Sequence, residues 1–211
     1  AYVMMLEELK LERDDWLVQN AAGSALGRWV IELARMLGIR TINLVRRREQ
    51  VDELRSETGA EHVLWCPPDG SGSAELRRKI RDITAGGRVR GALDAVGDGV
   101  FVSLMLESLS RYGTLLVYGV LGGAEMKIPF ETVCRIALEC LSIRGFSLQN
   151  WWLPDTPDET KGRVFDAVWR HMQANQALNP KAAAVYSFDE VGVAIRSSLS
   201  LKSGKVLLRP R

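Results

Sequence analysis

Residues 20–30 read NAAGSALGRWV, and small side chains fall at Ala22, Ser24 and Gly27. That is the spacing of a G-x-G-x-x-G turn between a strand and a helix. In such a turn the first small residue permits the tight bend. The second lets backbone approach a pyrophosphate, and the third lets helix and strand pack closely. The helix start then offers unpaired N–H groups and a positive dipole end to the phosphates. Any strand-to-helix turn also favours small residues, so at this level an ordinary loop is the alternative.

The second group with chemistry follows about 20 residues later, where an acidic residue would bind a ribose 2′-hydroxyl and an arginine would accommodate a 2′-phosphate. Here Val45 leads into Arg46, Arg47 and Arg48, and no carboxylate appears before Glu49. The spacing points to NADP(H), held through charge-assisted contacts that arginine makes bidentately. A solvated basic helix start is the alternative. Cations are unfavourable at a helix N-terminus, which weighs toward an anionic ligand.

Positioning these groups requires a strand before the turn and a helix after it. WLVQNA (16–21) is apolar, and ALGRWVIELARMLG (25–38) carries apolar residues at helical spacing before a glycine stop. The alternation continues with strands at 41–47, 62–65, 91–97, 112–120 and 141–148 and helices at 48–58, 100–109 and 130–140. Ser73 is the expected N-cap of a further helix that begins SAELRRKI. Six strands with intervening helices imply an α/β fold with a doubly wound parallel sheet, because each crossover must return the chain to the same sheet. A long helix over 158–175 follows, and the end of the chain reads as strand, helix, strand.

Composition narrows the function classes. The 211 residues are 46% hydrophobic and 26% charged with a formal net charge of +2, the profile of a globular chain without the broad cationic footprint of a nucleic-acid binder. No apolar run is long enough to cross a bilayer, so no membrane role is expected. The N-terminus lacks the pattern of a signal peptide and starts in mid-helix, as though cut from a longer chain. Cys66, Cys134 and Cys140 show no short spacing, which speaks against both a disulfide framework and a zinc knuckle. The expected setting is reducing: cytoplasmic, or mitochondrial in a eukaryote.

The succession DWLVQNAAGSALGRWVIELARMLGIRTINLVRRREQ, GALDAVG, YGTLLVYGV, LSIRGFSLQNW and SGKVLL resembles the medium-chain dehydrogenase/reductase superfamily. Within it, the chain is similar to the zinc-free quinone oxidoreductases and mitochondrial-type 2-enoyl thioester reductases. The resemblance implies a six-stranded Rossmann NADP(H)-binding domain with its preceding helix over 1–182. A C-terminal segment over 183–211 would pack on the family's GroES-like catalytic domain. That domain precedes the equivalent of residue 1 and has no counterpart here, so the proton donor is expected to lie outside this chain and no catalytic residue is named.

By the same resemblance, the pyrophosphate turn falls on Gly23, Ser24, Ala25 and Leu26, and the 2′-phosphate contacts fall on Arg46 and Arg48, with Arg47 beside them. The nicotinamide side falls on Tyr118, Gly119 and Val120 and on Phe146, Ser147 and Leu148. Lys205 matches a further cofactor contact. A plain sheet tyrosine and a surface lysine are the alternatives for Tyr118 and Lys205. Trp151 and Trp152 would flank a substrate channel or anchor an interface or core.

The implied activity is NADPH-dependent hydride transfer to an enoyl thioester, a quinone-like acceptor or a carbonyl, with the 211 residues alone inactive. A non-catalytic nucleotide-sensing or interaction domain, or a nucleotide binder using S-adenosylmethionine, are the competing readings. The resemblance also implies a homodimer through the edge strand near 141–148, a small-molecule substrate and no metal.

Overall fold

A computed structural model describes residues 1–122, 128–153, 156–178, 182–200 and 205–210. After an N-terminal π-helical turn (Val3–Glu8), the chain alternates through β1 (Trp16–Gln19), α1 (Ala25–Leu37), β2 (Arg40–Val45), α2 (Gln50–Thr58), β3 (His62–Trp65), α3 (Ser73–Thr84), β4 (Val89–Asp94), α4 (Gly99–Ser108), β5 (Thr114–Val117), α5 (Phe130–Leu138) and β6 (Ser142–Gly145). The short α6 (Leu148–Trp151) and long α7 (Asp158–Ala174) follow. β7 (Ala182–Ser187), α8 (Val191–Ser200) and β8 (Lys205–Arg209) complete the chain.

The first six strands form one parallel sheet in the order β3-β2-β1-β4-β5-β6. This is the expected doubly wound arrangement, and its order reverses between β1 and β4, where ligands of open α/β sheets bind. β7 and β8 pair in a separate two-stranded parallel sheet.

The two-residue period of the strands sorts the core into two layers. Trp16, Val18, Ala92 and Leu115 face one layer with Leu76, Ile80, Phe101 and Met105. Leu17, Leu93 and Leu116 face the other with Met4, Met5, Leu9, Val30 and Leu33. All four β1 residues are buried, as a central parallel strand covered on both faces requires.

Three local expectations are corrected. Ser73 does not cap α3: Gly72 holds the cap position at φ 74°, and the Ser73 hydroxyl, already inside the helix, donates to the Gly70 carbonyl at 2.5 Å. The strand expected over 112–120 is only Thr114–Val117, so Tyr118, Gly119 and Val120 follow the strand and do not end it. The strand expected over 141–148 is Ser142–Gly145, and Leu148 opens α6. In the last two cases the apolar or aromatic residues that suggested a longer strand line the cavities beyond the sheet.

Candidate cofactor site

The turn after β1 is built from backbone strain and close approach. Ala21 takes φ 48°, the left-handed region that costs a non-glycine residue roughly 1 kcal/mol. Ala22 is fully buried beneath α1. A Cβ added to Gly27 would lie 2.6 Å from both the Cα and the carbonyl oxygen of Ala22 and 2.8 Å from the Ala21 oxygen, so only glycine lets the helix sit this close to the turn. Ser24, in extended conformation, caps α1 by accepting from the Gly27 amide at 3.0 Å. The amides of Ala25 and Leu26 lie in the first turn, where the helix supplies no acceptor.

Three side chains that the sequence reading did not single out brace this turn. Gln19 Nε2 donates to the Gly27 carbonyl at 3.0 Å and to Asn43 Oδ1 at 2.7 Å, joining β1, α1 and β2 through buried polar atoms. Arg28 donates through Nε to the Gly23 carbonyl at 3.2 Å and pairs with Glu53 at 3.3 Å and with Glu57. Asn20 joins Asp94, as described below. A signal for Gln19 and Asn20 was present: two adjacent amides follow the apolar run Trp16–Val18.

Arg46, Arg47 and Arg48 are exposed in the loop between β2 and α2. Among the described residues no carboxylate forms an ion pair with them. Trp65, the last residue of β3, orients the cluster: its indole donates to the Arg46 carbonyl at 3.2 Å, and the Arg48 guanidinium lies 5.5 Å from its ring centroid. A cation held over an indole keeps its charge while losing conformational freedom.

On the other side of the switch point, Asp94 ends β4 with its carboxylate fully buried. Its carbonyl accepts from the Tyr118 amide at 2.8 Å, which directs the exit of β5. A Cβ on Gly119 would lie 2.6 Å from the Ala95 oxygen, so glycine is needed where these two loops cross. The Phe146 amide donates to the Val117 carbonyl at 2.8 Å, and Ser147 caps α6 by accepting from Asn150 at 3.4 Å.

Two cavities open here. One, of about 490 Å³, is walled by apolar side chains that include Leu26, Trp29, Tyr118, Phe146, Leu148 and Phe165. The other, of about 640 Å³, is bordered by Tyr118, Gly119, Val120, Phe146, Ser147 and Trp151. Trp152 borders the first cavity and Trp151 the second. Burial, with the Asp94 charge adding to it, pushes the Tyr118 phenol up to about 12, so it stays neutral at ordinary pH.

The structure therefore brings Leu26, Tyr118, Phe146, Ser147 and Leu148 together around one cavity, with Gly119 and Val120 at the adjoining one. Gly23, Ser24 and Ala25 form the turn at the start of α1, and the three arginines stand beyond it after β2. Lys205 lies exposed on β8 and borders neither cavity.

Against known proteins, the sequence profile of a family described as zinc-binding dehydrogenase matches residues 25–163. The human mitochondrial enoyl-[acyl-carrier-protein] reductase is 34% identical over 164 residues, which cover 76% of this chain and 42% of that protein. Among solved structures, the mitochondrial 2-enoyl thioester reductase Etr1p/Etr2p heterodimer from Candida tropicalis superimposes with a TM-score of 0.76 at 22% identity, covering 95% of this chain and 56% of the other. A mycobacterial protein in complex with NADPH gives a TM-score of 0.72 at 20% identity, covering 93% and 57%. These two likenesses are of fold. The chain spans about half the length of the proteins it matches.

Proposed function

As the chain belongs to the zinc-binding dehydrogenase family of the medium-chain dehydrogenase/reductase superfamily, we propose that it is the cofactor-binding part of an NADPH-dependent reductase. The observation that carries this reading is that the carboxyl ends of the parallel strands present two chemically distinct groups, one on each side of the switch point. Exposed arginines, without a carboxylate partner among the described residues, stand beyond the glycine-tight start of α1, and the loops after β5 and β6 converge at the other side.

The cofactor fits the residues present. Ser24 and the amides of Ala25 and Leu26, next to Gly23, would hold the pyrophosphate at the positive end of α1. Arg46 and Arg48, with Arg47, would take the 2′-phosphate, and Tyr118–Val120 with Phe146–Leu148 would flank the nicotinamide. Lys205 stays a proposed contact on resemblance alone. When bound, NADPH supplies the hydride; the chain's part is to orient it and exclude water. Among the described residues no three His, Cys, Asp or Glu side chains come together, so these residues by themselves assemble no ligand set for a zinc ion.

An enoyl thioester is the best-supported acceptor class. The apolar cavity that opens beside Tyr118 and Phe146 suits an aliphatic chain, where each buried methylene contributes about 0.8 kcal/mol. The human relative acts, by its name, on such a substrate. Residues 1–182 would form the cofactor domain and 183–211 the segment that packs on a catalytic domain, with the proton donor supplied from outside these residues and the 211 residues alone inactive. In a eukaryote the location would be mitochondrial, as the names of the relatives suggest.

Titration of nucleotide fluorescence tests the reading. NADPH should bind saturably and more tightly than NADH. Replacing Arg46 and Arg48 together by Ala should weaken NADPH at least about tenfold, since a hydrogen bond to a charged group contributes about 1.5–3 kcal/mol. Equal affinity in the double variant would overturn the assignment of the arginines. Failure of both nucleotides to bind at millimolar concentration would favour a non-catalytic role.

A further inference from the structure

Resting on the cofactor reading, we infer that the buried Asn20–Asp94 pair is the positioning device of the nicotinamide wall: it sets the loops after β4 and β5 against the phosphate turn. Both side chains are fully buried. Asn20 Nδ2 donates to Asp94 Oδ1 at 2.5 Å, and Asn20 Oδ1 accepts from the Ala95 amide at 2.8 Å. The Asp94 carboxylate also accepts from the Val96 amide at 2.9 Å and from the Gly97 amide at 3.1 Å. Two side chains thus fix three successive amides of the loop that leaves β4.

That loop in turn holds the exit of β5. The Ala95 carbonyl accepts from the Leu121 amide at 3.2 Å, and the Val96 carbonyl accepts from Gly122 at 2.7 Å. Gly119 lies against the Ala95 carbonyl too closely for any Cβ. Asn20 is also the residue that leads into the strained Ala21 and so into the start of α1. One buried contact therefore relates the pyrophosphate end of the crevice to Tyr118, Gly119 and Val120. Among the described residues no cation forms an ion pair with Asp94. A buried carboxylate satisfied only by neutral donors is costly, and the order it imposes on two loops is what that cost supports.

Neither side chain reaches the arginine end of the crevice, which predicts a selective effect. Affinities of the purified chain should be compared for NADPH and for 2′,5′-ADP, which carries the adenosine and 2′-phosphate without the nicotinamide. Asn20→Ala and Asp94→Asn should each weaken NADPH by about tenfold, the effect of losing one charge-assisted hydrogen bond, and leave 2′,5′-ADP within about twofold.

Parallel loss of both ligands, or no loss of either, would overturn the inference. Should Asn20→Ala fail to fold by circular dichroism, the nearly isosteric Asp94→Asn carries the comparison alone: a selective loss of NADPH supports the inference and an unchanged ratio of affinities overturns it. If the unsubstituted chain binds neither ligand, the cofactor reading fails first and this inference falls with it. Binding of 2′,5′-ADP that is lost in the arginine variants keeps the two failures apart.

Discussion

Gly23 and Gly27 belong to one turn and answer to different constraints. A Cβ on Gly27 would strike backbone of Ala22 and Ala21, which cannot move without parting α1 from β1. A Cβ on Gly23 would meet the end of the Gln50 side chain at 2.7 Å, a group free to turn away. Gly27→Ala should therefore cost about 1–3 kcal/mol in denaturant unfolding, as overpacked sites do, and Gly23→Ala should cost well under about 1 kcal/mol. Equal midpoints for the two variants would contradict the assignment of Gly27 as the packing glycine. Tyr118 makes a prediction of another kind. Its folded-state value is raised to about 12 from an ordinary 10.0, so the neutral phenol is favoured by folding. The stability this contributes is whole below about pH 10 and is lost as pH rises toward 12. Two units correspond to at most about 2–3 kcal/mol. Tyr118→Phe should flatten the fall of unfolding free energy across that window, and equal slopes for the two proteins would refute it.

At the scale of elements, what the sequence could carry was periodicity, and what it could not was where a strand stops. The apolar spacing of α1 and its glycine stop are local properties, and the helix runs over Ala25–Leu37 with Gly38 in the left-handed region. β5 is different. Tyr118 and Val120 have strand-forming side chains, yet Gly119 between them meets the Ala95 carbonyl, and that contact joins residues distant in sequence. Ser73 looked like a cap by residue type, but Gly70 and Gly72, both at positive φ, start α3 one residue earlier and leave the hydroxyl to bond backward. The site followed the same rule. Small residues at turn spacing and a run of arginines are visible in one dimension. The Trp65–Arg48 contact, the Gln19 bridge and the Asn20–Asp94 pair need strands that only the sheet order β3-β2-β1-β4 makes neighbours.

For the whole molecule, the sheet order leaves β6 at an edge, and its four residues are all exposed. An edge of this kind is a template for pairing unless it is covered. The amides of Ser142 and Phe146 donate to the carbonyls of Gly113, just before β5, and of Val117, its last residue. The two-residue period of a strand therefore turns the amides of Ile143 and Gly145 outward. A four-residue strand alone buries too little for a stable dimer, which takes about 800 Å² from each partner. The preceding helix α5 also exposes Phe130, Val133 and Leu138, which would enlarge such an interface. We propose on this basis that two copies join across β6 as a homodimer. Ile143→Pro removes an outward amide without touching the β5–β6 ladder, and places a ring where the second copy would pair. The variant should remain folded and elute as a monomer in size exclusion with light scattering, while the unsubstituted chain elutes as a dimer. A monomer for the unsubstituted chain at high concentration would defeat the proposal. A dimer that survives Ile143→Pro would move the interface away from this edge.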